Sequence, residues 1–143
     1  MEIISKSIQD THDLAQAFVG TLRLGNTATV VALHGDLGSG KTTFTQEVGK
    51  VLGVFDNMHS PTFVIMKIYG IDFNGFTKLI HIDAYRLEKE SELLHLGWDE
   101  IVKEPENLVL IEWPEKVPSL IPENARRISF KLIDELTRGI EYV

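Results

Sequence analysis

At 143 residues the chain is long enough for one domain that buries about two-thirds of its unfolded surface, and too short for two. With no cysteine it has neither disulfides nor thiolate chemistry; no apolar run nears the roughly 18 residues of a membrane span, and Met1-Glu2-Ile3-Ile4 lacks the basic-then-apolar pattern of a signal segment. A net charge of −7 argues against independent binding to nucleic acid or anionic lipid, so any RNA contact would need a basic partner.

In chain order, Glu2 to Lys6 reads as a short first strand. Asp10 or Thr11 is then expected to cap a helix whose Leu14, Phe18 and Leu22 share one face and which ends near Gly25. Thr29 to Leu33 is an apolar, β-branched run of the kind found in buried parallel strands. Phe44, Val48, Val51 and Leu52 follow at helical spacing. A loop with Ser60-Pro61-Thr62-Phe63 leads to two strands, Val64 to Phe73 and Phe76 to Asp83, on either side of the hairpin signal Asn74-Gly75. Leu93 to Val102 suggests short helical pieces, and Leu108 to Trp113 a second buried strand. Pro114, Pro118 and Pro122 punctuate a surface loop, and Arg126 to Ile133 with Gly139 to Val143 form a closing pair of strands. The sum is a single α/β domain over residues 1–143, a mixed, mostly parallel central sheet flanked by helices, with a β-hairpin after the Ser60 to Phe63 segment.

Gly35-Asp36-Leu37-Gly38-Ser39-Gly40-Lys41-Thr42 has four free positions between glycines followed by Lys and Thr, and it sits between the first apolar strand and a helix. That order is what a phosphate-binding loop needs. Glycines let the backbone wrap phosphate oxygens, and the first-turn N–H groups of the next helix favour the anion. Lys41 would reach the β and γ phosphates and the Thr42 hydroxyl would hold Mg²⁺. Without those flanks the same letters would be a Gly-rich turn before a helix.

Phosphoryl transfer also needs carboxylates at strand ends beside the loop. Two strands end in acids: Leu79 to Ile82 runs into Asp83, and Leu108 to Ile111 runs into Glu112. The pattern does not say which one approaches the metal. No Asn/Thr-Lys-x-Asp element for guanine is present, and Asp72-Phe73-Asn74-Gly75 is a turn rather than a switch, so ATP is the expected nucleotide. His12, His34, His59, His81 and His95 show no spacing for a transition-metal site. His81 and Asp83 should face the same side of a strand, with His81 expected to hold a neighbouring loop. Trp98 and Trp113 are expected packing residues, Trp113 also lying where it can shape a nucleotide pocket.

Gly-Asp-Leu-Gly-Ser-Gly-Lys-Thr-Thr-Phe at 35 to 44, Ser-Pro-Thr-Phe at 60 to 63, His-Ile-Asp-Ala-Tyr-Arg-Leu at 81 to 87 and Ile-Glu-Trp-Pro-Glu at 111 to 115 together closely resemble the bacterial TsaE (YjeE) family. Order and spacing match over nearly the whole chain. Ser39 stands where the family often has Ala and Ala84 where Leu is usual, changes that alter no charge and no ligand. The resemblance implies a small cytoplasmic P-loop ATPase of tRNA threonylcarbamoyladenosine synthesis. It works with TsaB and the catalytic subunit TsaD, meets tRNA only through that complex, has no membrane partner and is weakly active alone. It implies that Gly35 to Thr43, including Thr43 itself, bind the nucleotide, that Thr42 and Glu112 hold Mg²⁺, and that Asp83 lies near the γ-phosphate and water, with Lys41, Asp83 and Glu112 carrying the chemistry. Ser60 and Thr62 match a switch-like segment. Thr11 and Arg138 match positions that approach the nucleotide; read alone, they are a helix cap and a solvated edge charge.

Tyr85, Arg86 and Trp113 are candidates for switching or partner contact, Arg86 also for an in-cis contribution to catalysis. As a bland alternative, Arg86 covers the Tyr85 ring. No other Gln or Arg is placed to stabilise a transition state, which suits activation by a partner. The rivals are a small-molecule kinase, for which an Arg-rich lid is missing, and a nucleotide sensor that does not hydrolyse.

Overall fold

The computed structural model describes residues 2–54 and 65–142. Ser60, Thr62 and the rest of the Ser60 to Phe63 segment lie outside the described residues, as does Val64. The elements are β1 (Glu2–Ser5), α1 (Ile8–Val19), β2 (Thr29–His34), α2 (Lys41–Val51), β3 (Met66–Phe73), β4 (Phe76–Asp83), α3 (Glu90–His95), α4 (Trp98–Lys103), β5 (Asn107–Glu112), β6 (Arg126–Leu132) and β7 (Arg138–Tyr142). Among the described residues no helix is long and apolar enough to cross a membrane.

The strands form one sheet in the order β1-β7-β6-β2-β5-β4-β3. Its centre, β6-β2-β5-β4, is parallel, as the unbroken apolar runs of β2 and β5 require, while β3 on one flank and β7 and β1 on the other pair antiparallel. β3 and β4 are joined at Asn74-Gly75, both at positive φ, 47° and 93°, as the sequence pattern demands.

Side-chain alternation divides the interior in two. Val31, Leu33, Leu79, Leu108 and Leu110 point to the layer of α1 and α2, packing with Phe18, Phe44 and Val48. Val30, Ala32, Ile80, Ile82, Val109 and Ile111 point to the layer of α3 and α4, with Leu93 and Trp98. Asp83 and Glu112 share the parity of Leu79 and Leu108 and therefore end up on the α2 side. Phe44 meets Phe18 and Phe130 edge-on at 5.8 and 5.5 Å and fixes α2 to α1 and β6. Trp98 packs as expected, its Nε1 donating to the Leu120 carbonyl at 3.1 Å.

Helix α1 begins earlier than its sequence suggests. Its cap is Ser7, not Asp10 or Thr11: the Ser7 hydroxyl accepts from the Asp10 N–H at 3.1 Å, and the Asp10 carboxylate accepts from the Lys6 N–H at 2.9 Å. Asp10 thus ties back to the residue before the cap, a variant of the capping box in which the N3 side chain takes the N′ rather than the N-cap N–H. The helix stops at Val19, with Gly20 as cap, rather than near Gly25. Leu22 still reaches the core, because Thr21 and Leu22 continue the turn through hydrogen bonds to Phe18 and Val19.

Candidate functional site

The site lies where β2, β4 and β5 end and α2 begins. Between β2 and α2 the chain passes through Gly35, Gly38 and Gly40 at φ of 148°, 77° and 108°. Gly35 has no room for a side chain: a Cβ there would stand 2.6 Å from the Ser39 hydroxyl and 2.7 Å from the Phe130 carbonyl. Helix α2 then starts at Lys41 with no side-chain cap, leaving its N-terminus to be completed by an anion.

Lys41 is only 4% exposed. Its ammonium donates to the carbonyls of Gly35 and Asp36 and lies 3.7 Å over the Trp113 ring. Burial holds its pKa below the ordinary lysine value, and Glu112, Glu115, Asp83 and Asp36 act in the opposite direction.

The two acids stand side by side. Asp83 and Glu112 are register partners of the parallel β4–β5 pair, and Leu33 of β2 is opposite Glu112 on the other flank. Both acids are buried. Glu112 takes two hydrogen bonds, from the Thr42 hydroxyl at 3.0 Å on one oxygen and from His81 Nε2 at 2.6 Å on the other. Asp83 accepts from the Tyr85 N–H at 3.0 Å. His81 thus holds the end of the neighbouring strand, not a loop as its sequence position suggests. Among the described residues no three His, Asp or Glu side chains gather into a metal cage. One carboxylate and one hydroxyl beside a phosphate loop suit Mg²⁺, which keeps waters and takes its remaining ligands from phosphates.

Beyond Glu112 the chain turns abruptly. Trp113, expected at the end of the strand, instead adopts a left-handed conformation, φ 60° and ψ 50°, rare for a bulky residue. That turn swings its indole over Lys41 and against Tyr85, with ring centroids 5.0 Å apart.

These groups line a cavity of about 520 Å³, large enough for a nucleotide. Leu37 to Thr43, Asp83, Tyr85, Glu112, Trp113, Thr11 and Arg138 all border it. Gly35 and Asp36 act from behind, through their carbonyls on Lys41. Arg86 is exposed and outside this lining. Thr11 is not a cap but a buried first-turn residue whose hydroxyl is 2.7 Å from that of Ser5. Arg138 is more than an edge charge: its guanidinium holds the carbonyls of Asp134, Glu135 and Thr137, closing the β6–β7 hairpin beside Gly40. Ser5, Lys6, Ser7, Ile8, Glu135 and Leu136 also line the cavity, and nothing local in the sequence marks them as site residues. They meet there only because β1 pairs with β7.

The sequence model described as "Threonylcarbamoyl adenosine biosynthesis protein TsaE" matches residues 5–140. The chain belongs to the TsaE family. A TsaE of Rickettsia bellii is 37% identical over 135 residues, 94% of this chain and 88% of that protein. The TsaE of Bacillus subtilis is 38% identical over 113 residues, 79% of this chain and 68% of its own. Among solved structures, the crystal structure of Bacillus subtilis YdiB superposes with a TM-score of 0.77 at 26% identity, covering 99% of this chain and 83% of that one. The phosphate loop and the α/β sheet of this TsaE chain are thus those of a P-loop nucleotide-binding protein.

Proposed function

We propose that this chain is the Mg²⁺-dependent ATPase subunit for threonylcarbamoyladenosine modification of tRNA next to the anticodon, and that hydrolysis resets a TsaB–TsaD complex between turnovers. Membership of the TsaE family supports a part in that biosynthesis. The observation that carries the hydrolytic reading is the register pairing of Asp83 with Glu112, the latter bonded to Thr42 in the first turn after the glycine loop. The glycine loop and the start of α2 would bind the β and γ phosphates, with Lys41 leaving its carbonyl partners for phosphate oxygens. Thr42 and Glu112 would hold Mg²⁺, which when bound neutralises charge building on those oxygens. Asp83 would orient the attacking water, and Trp113 and Tyr85 would close the side of the site. A partner that supplies positive charge to the phosphates would raise an activity that is weak in the isolated subunit. The setting is cytoplasmic, tRNA being met only through the complex.

Phosphate release from Mg·ATP by the purified protein, alone and with TsaB–TsaD, tests this. Stimulation by the partners is expected, with Lys41→Ala and Asp83→Ala each abolishing it. Wild-type rates in both variants would overturn the assignment.

A further inference from the structure

We propose that His81 is a positioning residue that holds the Glu112 carboxylate toward Thr42 and away from Lys41, keeping it ready to take a divalent cation. The inference rests on the Mg·ATP reading of the site. His81 is 1% exposed, and its Nε2 lies 2.6 Å from one Glu112 oxygen while Thr42 bonds the other. An ionised carboxylate only accepts, so the ring carries its proton on Nε2. Nδ1 is buried without a hydrogen-bond partner among the described residues, so Glu112 is the polar anchor that the site gives this ring.

The geometry explains why such a strut is needed. His81 is the register partner of Leu110, which puts it diagonally across from Glu112 on the same face. Leu33, on the other flank of Glu112, offers no hydrogen bond. Glu112 is also the leading charge acting on Lys41, yet the lysine ammonium bonds to the Gly35 and Asp36 carbonyls instead. A glutamate without its His81 bond would be drawn toward that ammonium by the attraction between the two charges. Such a pair would withdraw both the cation ligand and the phosphate-binding lysine. A hydrogen bond on the second oxygen fixes the carboxylate plane with the first oxygen at the Thr42 hydroxyl.

The test is binding of N-methylanthraniloyl-ATP to the full chain in EDTA and across a MgCl₂ series, with unfolding midpoints recorded for each variant. Wild-type affinity should strengthen as Mg²⁺ is added, and Glu112→Ala should lose that response. His81→Leu should keep its EDTA affinity within about twofold and need about 10–100-fold more Mg²⁺ for the half-maximal effect, the usual consequence of removing a partner of a metal ligand. His81→Gln, whose amide nitrogen can stand where Nε2 does, should stay near wild type, and His81→Asn, which is too short, should follow His81→Leu. A folded His81→Leu with the wild-type Mg²⁺ midpoint overturns the proposal. If His81→Leu does not fold, the Gln and Asn variants decide: a shift in Asn alone supports the strut, and equal behaviour of the two overturns it. A wild-type protein indifferent to Mg²⁺, or Glu112→Ala still responding, removes the metal-site reading and the strut with it.

Discussion

Lys41 is a charge kept out of water before any ligand arrives. Burial lowers its pKa from the ordinary 10.5, so between the lowered value and 10.5 the unfolded chain binds more proton than the folded one. The stability linked to Lys41 is therefore complete above 10.5, and it is lost as the pH falls through the folded value. When protonated, this buried ammonium is held by the Gly35 and Asp36 carbonyls and the Trp113 ring and is attracted by Glu112, Glu115, Asp83 and Asp36, yet burial remains the larger effect. Lys41→Met should accordingly raise the thermal stability of the nucleotide-free protein at pH 7, by about 0.5–2 kcal/mol, while removing nucleotide binding. The advantage should shrink in melts taken at rising pH toward 10. A lower melting temperature for Lys41→Met at pH 7 would mean that the carbonyl and Trp113 contacts outweigh the cost of burial. Phosphates bound beside Lys41 would reverse the balance, because an anion next to the ammonium favours its charged form.

The glycine loop and α2 act as one element, and their glycines are not equivalent. At Gly38 a side chain meets open space, and the positive φ alone is at stake, so Gly38→Ala should cost about 1–2 kcal/mol. Gly35→Ala drives a Cβ into Ser39 and the β6 backbone at Phe130, adding about 1–3 kcal/mol of overpacking. Urea midpoints should rank wild type, Gly38→Ala, Gly35→Ala, and equal midpoints for the two variants would refute the crowding. This loop was legible in the sequence because all its chemistry sits in eight consecutive residues between an apolar strand and an amphipathic helix. The Asn74-Gly75 hairpin was legible for the same reason: two adjacent residues set the turn. The apolar runs of β4 and β5, each broken off by an acid, likewise placed Asp83 and Glu112 at strand ends. What escaped depended on turns without a turn-forming residue or on distant pairing. Leu22 fits the helical spacing of Leu14 and Phe18 but is buried by a turn, Trp113 leaves its strand at a left-handed residue, and His81 finds Glu112 only once β4 and β5 lie in register.

Across the whole molecule, charge and shape separate the nucleotide from the RNA. The chain carries 14 Lys and Arg against 21 Asp and Glu, and Lys41, the cation most central to the cavity, is buried. RNA affinity depends on exposed basic groups that displace counterions, so a net −7 surface opposes it at every separation within the screening length. The cavity itself is walled by elements from both chain ends, β1 and the β6–β7 hairpin, and is sized for one nucleotide rather than a strand. The isolated protein should therefore bind tRNA no better than about 10⁻⁴ M near physiological salt, the weak end of non-specific binding. Fluorescence anisotropy with labelled tRNA checks this. If the proposed TsaB–TsaD partners alone contact tRNA, the signal should change only in their presence, and the salt slope of the assembled complex should match that of the partners without this subunit. Micromolar binding by the single chain, falling steeply with salt, would instead point to a local basic patch that outweighs the net negative charge.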